Sequence, residues 1–148
     1  MDKLTRHTIN DLRKYYKLKT KSIPNLENKI EYLINQLEGV QALTYSDMPT
    51  GSGAKIDYRK EKMIDDKIWA EKRLSESKAF VEYMDKALSK LNKTDRGLLV
   101  ECYAKERHER QTEYMICKQL NISSSTLYRR KKEIIEEFTA DLNGIEAM

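Results

Sequence analysis

No proline follows Pro49 in this 148-residue chain, and only five glycines punctuate all of it. The residue that most strongly interrupts a helix is thus missing from about two thirds of the sequence, and the turns a many-stranded sheet needs are scarce. The expected fold class is all-α. The length fits one domain, or a small domain with an extension. Charged residues make up 35% and the mean hydropathy is −0.78, so any core must come from narrow apolar stripes.

Residues 8–20 predict a first helix. Thr8 and Asp11 form a capping pair, and Ile9, Leu12 and Tyr16 share a face. Arg13, Lys14, Lys17, Lys19 and Lys21 make it basic, with Tyr15 interleaved. A phosphate-contacting arm and a solvated helix are both consistent with that pattern. Ser22-Ile23-Pro24 opens a second helix, since proline is tolerated in a first turn. Its apolar residues Ile23, Leu26, Ile30, Leu33, Leu37 and Val40 are spaced 3, 4, 3, 4 and 3, a coiled-coil-like seam that Ile34 widens. Burying six large aliphatics is worth about 9–18 kcal/mol gross, before ordering entropy.

Residues 43–56 show no period and read as a loop. Gly51-Ser52-Gly53 does not make a phosphate cradle, because no strand precedes it and no Gly-Lys-Ser follows. A long helix is expected over 57–92. Ala70, Leu74, Val81, Met84, Leu88 and Leu91 keep heptad-like spacing, with Ser77 filling a gap. Met63, Ile64, Ile68 and Trp69 form a separate apolar cluster. The two long helices can fold into an antiparallel hairpin, making 1–92 a hairpin or oligomerisation region. A helix of that length reaches about 54 Å against about 30 Å for a 20-residue partner. One end must therefore bend or find another partner, either a second copy of the chain or the first helix.

A second region spans 93–148. Asn92-Lys93-Thr94 breaks the pattern, and Thr94 is placed to cap a helix through about Lys105 with Leu98, Leu99, Cys102 and Tyr103 on its face. Glu106–Arg110 is a charged link that carries His108. Residues 111–138 then read as two short helices around a tight turn. Thr112 caps the first, whose buried face is Met115, Ile116 and Leu120, with Cys117 at the close approach. Asn121 stands where a near left-handed residue is needed, Ile122 plugs the corner and Ser123 caps the next helix. Asn143-Gly144 looks like its stop.

That last helix has two faces. Leu127, Ile134, Ile135 and Phe138 share one side, and Lys131 lies at its edge with a buried stem. Ser124, Ser125, Tyr128, Arg129 and Lys132 occupy the other, beside Thr126 and Arg130. Small residues at a helix start, then an aromatic, then cations, are the form of a helix that enters the DNA major groove. The rival reading is a solvated face, because Glu133, Glu136 and Glu137 follow the cations and Lys132 can pair with Glu136. The turn chemistry, in register with both helices, favours double-stranded DNA. The net charge is +4, yet from residue 94 onward nine Lys/Arg face ten Asp/Glu, while residues 1–42 hold eight against five. A local basic helix on a near-neutral background suits positioned contact better than bulk attraction.

Residues 88–138 resemble the promoter-reading last region of bacterial sigma factors and, more narrowly, the sigma-like phage regulators of the RinA/ArpU type. LNKTDRGLLVECYAKER and TEYMICKQLNISSSTLYRRKKEIIEEF carry the likeness, and Ser125 through Lys132 is its most specific part. Ser46-Asp47-Met48-Pro49 resembles a loop marker of related small phage proteins. The likeness implies a transcription activator of phage or prophage late genes, for packaging, structure or lysis. It implies promoter DNA as a partner, with host RNA polymerase as a further one. Asn121 departs from the glycine common in such proteins, as Arg130 and Lys131 depart from a common apolar residue.

Other classes fit less well. A small terminase-like packaging protein also joins such a unit to oligomerising helices, but usually places it first. A sigma-like module gripping RNA polymerase or another protein without reading DNA is the third reading. Two histidines, no clustered carboxylates in an apolar setting and no nucleophile motif give no catalytic residues, so no enzyme and no cofactor are expected. Cys102, His108 and Cys117 fit no zinc knuckle, so no metal is expected. Two cysteines on helical faces, no apolar membrane span and no secretory signal lead to the expectation of a reduced cytoplasmic protein, and a regulator, unlike a packaging ring, is expected to be a monomer or dimer.

Overall fold

The computed structural model describes residues 2–45 and 53–144, with side chains described for 2–40 and 57–144. It is helical throughout, with no strand among the described residues. The α-helices are α1 (Lys3–Lys17), α2 (Ile23–Tyr45), α3 (Gly53–Ser89), α4 (Lys93–Leu99), α5 (Glu113–Leu120) and α6 (Ser124–Leu142). Two π turns, Leu18–Ser22 and Val100–Ala104, and a 3-10 turn, Arg107–Glu109, complete it. The marker Ser46-Asp47-Met48-Pro49 and Gly51-Ser52 lie outside the described residues. Of the loop expected over 43–56, residues 43–45 are helical in α2 and residues 53–56 are helical in α3.

The described residues fall into two compact units, one within residues 1–18 and 80–148 and one within residues 19–79. In the first, α1 packs on the π turn 100–104 and on α6, α4 packs on α6 and α5 does the same. Leu12, Met84, Leu99, Leu127, Ile135 and Phe138 form its fully buried centre.

α1 starts earlier than the sequence pattern indicates. Asp2 accepts from the Leu4 amide at 3.1 Å and caps the helix there. Thr8 is therefore interior and not a cap: it is buried, and its hydroxyl donates to the Leu4 carbonyl at 3.0 Å. Extending the helix back fixes its rotation by Thr5, Thr8, Ile9 and Leu12, which brings Tyr15 into the core and leaves Tyr16 half-buried. The Tyr15 hydroxyl donates to Asp85, and the Lys14 ammonium stands 4.4 Å from the Phe80 ring centroid. The last turns of α3 thus find α1 as a neighbour, with Val81, Met84 and Leu88 buried.

After α1 the backbone widens into a π turn before α2. Pro24 has no N–H to offer the Thr20 carbonyl, so the regular α ladder loses a bond there, and the π turn lies directly before it. In the second unit Leu33, Val40, Ala70 and Ser77 are buried, which places Ser77 within the seam as its spacing indicates. Lys78 pairs with Glu27 at 3.6 Å, and Lys29 and Arg73 stand over the Trp69 ring. Ile34, Ile64, Ile68 and Trp69 remain exposed.

Asn92, not Thr94, caps α4: its side-chain oxygen accepts from the Asp95 amide at 2.8 Å. The helix expected through Lys105 changes to π spacing at Val100, yet Leu98, Leu99 and Cys102 are buried as its face requires.

Leu12→Ala removes a fully buried anchor shared by both ends of the sequence. It is expected to cost about 2–5 kcal/mol in urea unfolding, whereas Tyr32→Ala at an exposed site should stay within about 0.5 kcal/mol.

Candidate nucleic-acid interface

Thr112 caps α5, its hydroxyl accepting from the Met115 amide at 3.2 Å. Ile116 is buried and Leu120 half-buried. Met115 does not join them. It is 49% exposed, because one short helix docked through Ile116 and Leu120 turns its neighbour a third of a revolution outward. α5 ends at Asn121, which has φ 55° and ψ 48° and is the one non-glycine residue with positive φ among the described residues. This left-handed corner lets the Ile122 amide donate back to the Cys117 carbonyl at 3.0 Å. Asparagine tolerates the conformation better than other residues with a Cβ. Ser123 follows in extended conformation and caps α6, accepting from the Thr126 amide at 3.2 Å.

α6 presents the two faces its periodicity predicts. Leu127, Ile134, Ile135 and Phe138 are buried. Ser124, Ser125, Tyr128, Arg129 and Lys132 are exposed, Tyr128 at 73%. Thr126 and Arg130 are half-buried, and the Thr126 hydroxyl lies 2.8 Å from that of Ser123, inside the cap. Arg129 reaches Glu133 at 3.9 Å, but both side chains are well exposed, so water and salt screen the pair. Lys131 lies at the core edge, with its ammonium 5.8 Å from the Tyr103 ring centroid. The helix stops at Asn143, followed by Gly144 at φ 67°.

Two supports were not apparent from residue spacing. Asp2, the cap of α1, and Thr5 of α1, with Tyr103, line an open groove whose other wall is Tyr128, Lys131 and Lys132 of α6. Glu101, on the π turn, accepts from the Gln111 amide at 2.6 Å and pairs with Lys105, tying the connection 106–112 to the body of the unit. Burial pushes the Glu101 carboxyl up, but the hydrogen bonds from Lys105 and Gln111 and the nearby charges of Lys105 and Arg110 outweigh it, so the net direction is down. The same bond raises Lys105.

Cys102 is buried, and burial pushes its thiol up, away from reactivity. Cys117 is half-buried. Glu106, His108 and Glu109 bring their ligand-type atoms within 4.8 Å of one another on the surface, and neither cysteine belongs to that group.

Two measurements test this framework. Asn121→Val forces a β-branched residue into the left-handed region and should cost about 1–3 kcal/mol in thermal unfolding, while Asn121→Gly should stay within about 0.5 kcal/mol of the parent. Glu101 stabilises the fold above its ordinary value of 4.5, and that stability is lost as pH falls through the lowered value. The Lys105 contribution is present below 10.5 and is lost as pH rises through the raised value. Glu101→Gln is expected to cost about 1–2 kcal/mol near neutrality and to flatten the stability profile at both extremes.

No protein-family model, curated protein or solved structure matches this chain.

Proposed function

We propose that the chain is a sequence-specific regulator of transcription that binds double-stranded DNA. In this reading α5, the Asn121 corner and α6 act as a helix-turn-helix, with α6 in the major groove. One observation carries it: the side of α6 away from the core exposes Ser124, Ser125, Tyr128, Arg129 and Lys132 together, directly after a capped left-handed corner. Ser124 and Ser125 allow the helix start a close approach to base edges and phosphates. Arg129 is the candidate for bidentate pairing with guanine, since its bond to Glu133 is long and solvent-exposed. Lys132 and Arg130 meet phosphates, Tyr128 offers an aromatic contact, and Thr126 fixes the helix start. The likeness to sigma-like phage regulators favours late phage or prophage genes as the target and host RNA polymerase as a further partner.

The test begins with duplexes selected from a randomised library by the full-length protein. Arg129→Ala should weaken binding to the selected duplex by about 1–3 kcal/mol and relax its base preference, with a much smaller loss on a random duplex. Equal loss on both would reassign Arg129 to phosphate. Failure of the parent protein to bind any duplex at low salt, where counterion release helps most, would overturn the reading.

A further inference from the structure

We infer that α1 is a second DNA-contacting element, a row of cations that receives backbone phosphates beside the site read by α6. This rests on the proposal that α6 reads a duplex.

The row is Arg6, Arg13 and Lys17. At i, i+7 and i+11 they fall within about 40° of one another around the helix. All three are exposed, and none is engaged in an ion pair among the described residues. The rotation of α1 is fixed by its buried residues Thr5, Thr8, Ile9, Leu12 and Tyr15, so this edge is held in place and not free to roll.

The helix that carries the row borders two grooves, and the row's far cations line the second of them. Near Arg6 in sequence, Asp2 and Thr5 share a groove with Tyr128 and Lys132, two of the residues proposed to face the duplex. Asp2 and Glu136 are the acids there. At the far end Arg13 and Lys17 open onto a second groove with Lys105, Arg107 and Arg110. Lys105 is held by Glu101, and Arg110 donates to the Lys105 carbonyl at 3.0 Å. Arg107 is exposed. Glu106 lines this groove and Glu109 accepts from the Tyr16 hydroxyl at 3.0 Å. Counting Lys14 with the five cations named gives six, against Glu101, Glu106 and Glu109, so the groove stays positive.

The spacing suits a duplex. Eleven residues of helix separate Arg6 from Lys17, about 16 Å, which matches about five base pairs carrying roughly ten phosphate charges. Long, exposed cationic side chains on a rigid rod can reach such a ladder without reading its sequence. An acidic protein segment is the other polyanion that the row could hold, and the test separates the two.

The test uses the full-length triple variant R6A/R13A/K17A. Alanine preserves helix propensity at these exposed sites, and circular dichroism checks the fold. Affinity is measured by fluorescence anisotropy across a salt series, on a library-selected duplex with ten-base-pair flanks and on a random duplex of equal length. The triple variant should bind both at least about tenfold more weakly, with the slope of log affinity against log salt reduced by about 2–3 and the preference ratio unchanged. Trimming the flanks should remove most of the difference between variant and parent. A parent-like affinity and slope in the triple variant, while Arg129→Ala still loses preference, would sink the α1 row and leave the α6 reading intact. Parent-like DNA binding with loss of binding to a poly-glutamate peptide would assign the row to an acidic protein and overturn the inference. If the parent itself binds neither duplex, the α6 reading falls and the row falls with it.

Discussion

Everything at the C-terminal end depends on α1 being buried against it. Leu12 is fully buried in a centre that includes Leu99 from the end of α4 and Leu127, Ile135 and Phe138 from α6. Short helices such as α4 and α5 have little stability of their own, because nucleation is costly and few hydrogen bonds follow. Packing supplies what length does not. The first residues of the chain therefore help decide the angle at which α6 is presented, although they are distant from it in sequence.

Charge in this unit is divided between holding and presenting. Glu101 and Lys105 use theirs inward, on each other and on the Gln111 amide, and so brace the approach to α5. Lys131 is intermediate, with its stem against the core and its ammonium over Tyr103. Arg129 and Lys132 project from the same helix into water. A run of four consecutive cations thus performs different tasks, because a helix turns each residue by 100°.

Much of this was legible because the deciding interactions are local. The left-handed corner at Asn121 and the cap at Ser123 follow from the side chains at those positions. The faces of α6 follow from one period, as does the seam through Ala70, Ser77, Val81, Met84 and Leu88. Where two nearby residues can serve the same local role, spacing pointed to the wrong one. Asp2 and Asn92 cap the helices whose starts the spacing assigned to Thr8 and Thr94, and moving the start of α1 exchanged the roles of Tyr15 and Tyr16. The π turns leave no compositional trace, and in helices this short the shift of apolar phase by one residue is too small to read from spacing. Met115 was misplaced because α5 is too short for its own pattern to fix its rotation. The docking of α1 onto α6 is a long-range pairing, and no spacing encodes it.

The surroundings of Trp69 give the molecule a built-in reporter. It is the sole tryptophan, it lies within residues 19–79, and two cations sit over its half-exposed ring. Its emission follows the melting of that unit alone, whereas far-ultraviolet ellipticity follows every helix. Superimposable transitions from the two signals would mean that the halves come apart as one cooperative body, and staggered transitions would give each its own midpoint.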